Sequence, residues 1–264
     1  MDGADRCREG GAASAGPQDP GDGASRTPRF LVPRLYNPES EFDATLDMVL
    51  SHYRQTHPEI RYLEVGAFDG VSGDPIYPLI EKHGLKGYLV EPQRDAFAKL
   101  KANYARFGSP DFVFVNAAIG ERDGTVPLYR IKPESSGPEW LPQIASLDQN
   151  FLVGLSDIIP NLESLIEIET VPCFTFATLF QTYGIPHIDL LQIDAEGRDA
   201  EILELFDVAH RRPAMVHFEH KHLNEPVYER CLASLIPLGY KISIARDDTL
   251  AYLAAPAEAD PLAQ

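Results

Sequence analysis

Two carboxylates one residue apart, Asp194 and Glu196, follow directly on the apolar run Leu190-Leu191-Gln192-Ile193, and Gly197 comes next. An acid leaving the end of a buried strand can take a proton, orient a hydroxyl or hold a hard cation. Acids are also favoured at helix N-termini, and a helical pattern starts at Asp199, so a salt-bridged helix start is the competing explanation. A second run, Met215-Val216-His217-Phe218-Glu219, ends in the same way, with His220 and His222 just beyond it. His217 lies inside the run and is read as a hydrogen-bonded core histidine. Glu219, His220 and His222 stand at the rim, where chemistry is open to them.

Earlier in the chain, Glu64-Val65-Gly66-Ala67-Phe68-Asp69-Gly70 closes another apolar run. Gly66 and Gly70 permit a tight turn and close backbone approach to a ligand. The spacing is G-x-x-x-G, not the dinucleotide G-x-G-x-x-G, so it does not separate NAD, FAD, S-adenosylmethionine or a plain turn. Glu91 follows Tyr88-Leu89-Val90 and precedes Pro92. At about twenty residues past the glycine turn, an acid is placed to accept hydrogen bonds from both ribose hydroxyls of an adenosine; a solvated strand-end glutamate is the alternative. Asn116-Ala117-Ala118-Ile119-Gly120 suits the edge and face of an adenine ring, or a simple strand-to-turn transition. Taken together, the glycines and Glu91 favour an adenosine cofactor.

These residues meet only if a sheet carries them to one edge. Short apolar runs at 62–65, 87–90, 112–115, 188–193 and 214–218 alternate with amphipathic segments at 74–83, 95–107 and 199–206. Strands apolar on both faces and separated by helices predict a parallel sheet covered on both sides. Lys241–Ile244 and Thr249–Leu253 predict a closing antiparallel hairpin. Ligands of such sheets bind beyond the carboxyl ends of the strands, where these acids and glycines fall.

Residues 1–28 hold almost nothing large and apolar and are expected to be disordered. A helical extension is expected over 29–60, with Asn37 as cap, Pro38 in the first turn, and Phe42, Leu46, Val49, Leu50 and Tyr53 on one face. The main domain is expected over 61–256, with a tail at 257–264. Residues 132–171 are too long for a connector and predict a lid or substrate-selecting insertion. Its Trp140, the only tryptophan, is placed to stack on a sugar face or to anchor the insertion; exposed apolar residues there would equally serve a dimer contact.

A net charge of -17 argues against nucleic acid or anionic membrane as partner. No secretory signal and no membrane span is read, and Cys7, Cys173 and Cys231 show neither metal-ligand nor disulfide spacing. A cytoplasmic protein with free thiols is expected.

With LEVGAFDG, YLVEP, NAAIG, RDGTVPLY, Ala145-Ser146-Leu147, LLQIDAEGRDAEIL, VHFEHKHL and TLAYL in view, the chain resembles the FkbM methyltransferases from about Tyr62 to Tyr252. The resemblance implies an α/β, Rossmann-like class I methyltransferase sheet, mainly parallel, with a C-terminal antiparallel hairpin and helices on both faces. It implies S-adenosyl-L-methionine as cofactor and, most often, a hydroxyl on a sugar or natural product as acceptor. Glu64, Gly66, Ala67, Asp69 and Gly70 would form the cofactor loop, Glu91 and Pro92 the ribose contact, and Asn116 and Ala117 the adenine side. Glu64 stands where an Asp is common, and Gln192 where many members carry Lys.

An alcohol must lose its proton as it is methylated, so a base or metal belongs nearby. Asp194 is the first candidate, with Glu196 in support and His220 and His222 as alternatives. A divalent cation such as Mg²⁺, held by Asp194 and Glu219, is a third option. The rival readings are a nucleotide-sugar or NAD enzyme on a similar sheet and a non-catalytic cofactor-binding module.

Overall fold

The structure, a computed structural model, describes residues 44–253 apart from 109, 110, 134, 136, 137 and 139. These belong to the unit Val32–Gln264; the unit Met1–Leu31, the expected helix start at Asn37-Pro38 and the tail at 257–264 lie outside the described residues.

The first helix, α1 (Leu46–Tyr53), starts where the Thr45 hydroxyl accepts the Met48 N–H at 3.3 Å. Ala44 and Thr45 are non-helical, so a helix running unbroken from Asn37 is corrected to one capped at Thr45. Leu46 and Leu50 face the core, and burying Leu50 completely contributes about 2 kcal/mol. The Tyr53 hydroxyl donates to Asp189 at 2.8 Å and fixes the helix against the sheet.

Next come β1 (Ile60–Val65), α2 (Tyr77–His83), β2 (Leu85–Val90), α3 (Arg94–Tyr104) and β3 (Phe112–Val115), in the predicted order. α2 starts three residues later than the sequence pattern indicates. The Asp74 carboxylate accepts the Ile76 N–H at 2.6 Å and so folds a turn ahead of the helix. Tyr104 meets Tyr77, Phe107, Phe112 and Phe114 edge-on, with centroids 5.1–5.8 Å apart, packing α3 on the sheet.

The chain then leaves the main sheet for β4 (Ala118–Ile119), β5 (Gly124–Ile131), β6 (Ala145–Ser146), α4 (Gln149–Val153), α5 (Leu162–Leu165), β7 (Ile166–Phe174) and α6 (Phe176–Tyr183). The predicted insertion at 132–171 is therefore part of a larger unit, a four-stranded sheet of order β4-β7-β5-β6. β5 and β7 pair antiparallel from Gly124↔Cys173 to Ile131↔Ile166. β5 carries Gly124, Thr125 and Pro127, exposed and weakly apolar, which hides it from a search for apolar runs. Arg130 on β5 is buried and joins Asp95 of α3 through two bonds of 2.6 and 2.8 Å, with Glu167 and Glu169 alongside.

The return supplies β8 (Leu190–Ile193), α7 (Asp199–Phe206), α8 (Val208–Arg211), β9 (Met215–Glu219), α9 (Glu225–Leu235), β10 (Tyr240–Ile244) and β11 (Asp248–Leu253). The main sheet has the order β10-β11-β9-β8-β1-β2-β3. β10 and β11 pair antiparallel as expected, and β11 inserts between β9 and β10 as the one antiparallel strand. Cys173 on β7 and Cys231 on α9 are buried free thiols. Among the described residues no helix is long and apolar enough to cross a membrane.

Candidate active site

The strand order runs outward from β1 in both directions, to β2 and β3 on one side and to β8 and β9 on the other. At this point connections leave to opposite faces and a crevice opens beyond the strand ends. A solvent-open cleft lies there, about 840 Å³ of space that includes open solvent. Glu64, Gly66, Ala67, Glu91, Pro92 and Ala117 line it from the first half of the sheet, Asp194 and Glu196 from the second. Ser146 and Leu147 close it from the insertion.

Gly66 has φ +91°, and a Cβ there would overlap the carbonyl oxygen of Asp194. The turn after β1 and the turn after β8 are in backbone contact at this glycine. Glu64 is 2% exposed, and its carboxyl lies against the buried carboxyl of Asp74. Burial, with Asp74 and Asp194 nearby, pushes its carboxyl well above the usual range. Glu91 accepts the Phe68 N–H at 2.8 Å on one oxygen and the Gln93 N–H at 2.7 Å on the other. Burial outweighs these bonds and pushes it up to about 7.

Three predicted cofactor residues stand outside the cavity wall. Asp69 accepts the Val71 and Ser72 N–H groups at 3.0 and 2.8 Å and shapes the turn. Gly70 is pressed on Leu100 and Tyr104, leaving no room for a side chain. Asn116 donates to the Glu91 and Pro92 carbonyls at 2.8 and 3.1 Å, bracing the end of β2. These three act on the shape of the site through its turns.

On the other side, Glu196 adopts φ 47°, a left-handed conformation uncommon for a residue with a side chain. Its Oε2 lies 3.6 Å from the His222 Nε2, which is 3.4 Å from Glu219 Oε2. The other Glu219 oxygen pairs with Lys221. Phe151 of α4 packs edge-on against the His222 ring at 4.9 Å and lies over Gly197, so the insertion roofs this corner. Burial raises Asp194 to about 6; burial with Asp194 and Glu219 alongside raises Glu196 to about 8. Glu219 rises to about 7 by burial and the Asp194 charge. Burial and Lys221 lower His222 to about 4.

His220 points away from this group. Its Nδ1 is 3.0 Å from the Thr249 hydroxyl, and its ring lies against Tyr228. His217 is the core histidine expected, 2.8 Å from Gln192 Oε1 and lowered to about 4 by burial. Trp140 is 44% exposed and lies outside the cavity wall. Of the predicted cation pair, Asp194 with Glu219, Glu219 lies together with Glu196 and His222, one ligand atom of each within 4.8 Å of the others. Sequence reasoning missed Asp74, Asp199 and Phe151. Asp199 is fully buried with both carboxylate oxygens unpartnered, although as a first-turn acid it reads as an ordinary helix start.

Solved structures resemble the chain at low identity. Methyltransferase FkbM from Methylobacillus flagellatus KT is 12% identical, with TM-score 0.48 over 74% of this chain. The chain spans 43% of that protein's length. Precorrin-6y C5,15-methyltransferase from Geobacter metallireducens GS-15 is 12% identical over 83% of this chain and 94% of its own, TM-score 0.39. TrmK from M. capricolum, solved with S-adenosyl-homocysteine, is 12% identical over 82% and 74%, TM-score 0.36. No curated protein matches by sequence. The methyltransferase FkbM domain model matches residues 64–242, which run from the end of β1 into β10 and take in every residue lining the cleft. The chain belongs to the FkbM methyltransferase family.

Proposed function

We propose that the chain is an S-adenosylmethionine-dependent O-methyltransferase acting on a hydroxyl of a small molecule, a sugar or natural product. Family membership supports methyl transfer, and one observation carries the cofactor reading. At the point where the sheet order reverses, a cleft meets the buried carboxyl of Glu64, which lies against that of Asp74, and a turn at Gly66 that tolerates no side chain. These suit a ligand with an ammonium group to donate and a nucleoside to seat.

In this reading Glu64 accepts from the amino-acid end of the cofactor and Glu91 from the ribose hydroxyls, using lone pairs left beside its two backbone bonds. Ala117 and Pro92 offer small apolar surface for the base. Asp69, Gly70 and Asn116 hold the turns in place. S-Adenosylmethionine, when bound, supplies a methyl on a sulfonium, a leaving group that needs no acid. The protein has to align the acceptor oxygen with that methyl, and alignment alone supplies on the order of several kcal/mol. Glu196 takes the proton that the oxygen loses as its bond to carbon forms. A carboxyl raised to about 8 is a stronger base than an ordinary one and close to working pH. Asp194, lower at about 6, orients the hydroxyl. His222 stays in reach of the same corner, whereas His220 is committed to Thr249.

A net charge of -17 favours a neutral or cationic small acceptor over a nucleic acid or an anionic membrane. The buried free thiols Cys173 and Cys231 suit a reducing compartment such as the cytoplasm. Calorimetric titration with S-adenosylmethionine and S-adenosylhomocysteine tests the reading. Binding is expected in the micromolar range, weakened about 10–100-fold in Glu91→Ala, as loss of a charged hydrogen-bond partner implies. A folded wild-type protein that binds neither compound sinks it.

A further inference from the structure

The corner formed by Glu196, Glu219 and His222 holds more than a base. One ligand atom from each lies within 4.8 Å of the other two, brought together from the turn after β8, the last residue of β9 and the turn after β9. Glu219 is the informative member. It is 6% exposed, Lys221 takes one oxygen, and the other, Oε2, faces His222 at 3.4 Å with no hydrogen bond. A buried, unpartnered carboxylate oxygen is costly unless something completes it. Around it, Asp194, Glu196 and Asp199 add further acids, with Lys221 the cation placed among them. An imidazole nitrogen at 3.6 Å from Glu196 and 3.4 Å from Glu219 gives the group a donor that a plain acidic cluster lacks.

We infer that Glu196, Glu219 and His222 form a binding site for one divalent first-row transition-metal cation. Ligand atoms on a cation with bonds of about 2.1 Å lie about 3 Å apart when adjacent, so the two His222 pairs, at 3.4 and 3.6 Å, have to close by about half an ångström. Two carboxylates and one imidazole select Mn²⁺, Fe²⁺, Co²⁺ or Zn²⁺ over the all-oxygen preferences of Mg²⁺ and Ca²⁺. Three protein ligands leave positions open, and Glu196 also lines the cavity, so those positions face the space where an acceptor would lie. The edge of Phe151 shields the imidazole from the other side. If the methyltransferase reading holds, the cation would lower the pKa of a bound acceptor hydroxyl, and with Glu196 taken up as a ligand the proton would pass to Asp194; cation binding itself does not depend on that reading.

The test uses the full chain, stripped with chelator and titrated with Mn²⁺, the free ion being followed by electron paramagnetic resonance. Co²⁺ is titrated in parallel and followed by its visible absorption, which reports nitrogen ligation. About one equivalent of Mn²⁺ is expected to bind, weakened about 10–100-fold in Glu219→Gln and in His222→Ala. Exposed Glu121→Gln should bind as wild type. S-Adenosylhomocysteine affinity, measured beside each titration, should stay unchanged in both site variants, which separates the fate of this site from that of the cofactor reading. Absence of stoichiometric Mn²⁺ or Co²⁺ binding by the folded wild type overturns the inference. So does binding that survives undiminished in both variants, or a cobalt spectrum that His222→Ala does not change.

Discussion

Glu196 shows how one residue joins several demands. It leaves a buried strand, takes a left-handed backbone, lines the cavity and faces both Glu219 and His222. Such backbone strain at a non-glycine position costs on the order of 1–3 kcal/mol and persists where the surroundings impose it. Glu196→Gln keeps the shape and removes the proton acceptor. It is expected to lower kcat about 10²–10⁴-fold at unchanged S-adenosylhomocysteine affinity, read by single-turnover methyl transfer and calorimetry. Gly66→Ala is expected to act differently, because its Cβ would overlap the Asp194 carbonyl. A loss of about 3 kcal/mol or more in denaturant unfolding is expected, together with loss of cofactor binding. The acids of the site were legible because each follows an apolar run. Asp199 was not, since the sequence cannot distinguish a solvated first-turn acid from one buried without partners. Nor does it distinguish His220, turned to Thr249, from His222, turned to the cavity corner.

At the scale of elements, the strands and helices of the main sheet were readable from their periods, with boundaries displaced where a side chain intervened, as Asp74 does ahead of α2. The second sheet was not. Its strands pair in a ribbon with one face toward solvent, so Ile168 is 63% exposed and the apolar signal is diluted. Arg130 ties this sheet to α3 through Asp95, with Glu167 and Glu169 of β7 on the same guanidinium. Arg130→Ala removes the cation shared by Asp95 and Glu167 and leaves Glu169 to Arg94 alone. The expected cost is about 3 kcal/mol, the low end for breaking a buried pair because Asp95 and Glu167 keep some solvent. Chemical denaturation measures it, and a change under about 0.5 kcal/mol would show that the sheet is held by its apolar contacts alone.

Over the whole molecule, the buried acids make stability depend on pH in a direction opposite to that of salt-bridged surfaces. Asp74 and Glu91 are each raised to about 7 in the fold, largely by burial, against about 4 in an unfolded chain. Between those values the folded state holds protons that the unfolded chain has released, so stability falls as pH rises from about 4 to 7. The melting temperature of the ligand-free protein should be higher near about pH 5.5 than near about pH 8, and Glu91→Gln should flatten the slope. The two buried thiols add a use of a different kind. Cys173 lies in the second sheet under Gly120, Cys231 in the helix behind the main sheet. With Cys7 replaced by serine, each becomes a clock for the opening of its own layer under a thiol reagent. Faster modification of Cys173 than of Cys231, slowed by S-adenosylhomocysteine, would time the lifting of the second sheet from the cavity it covers.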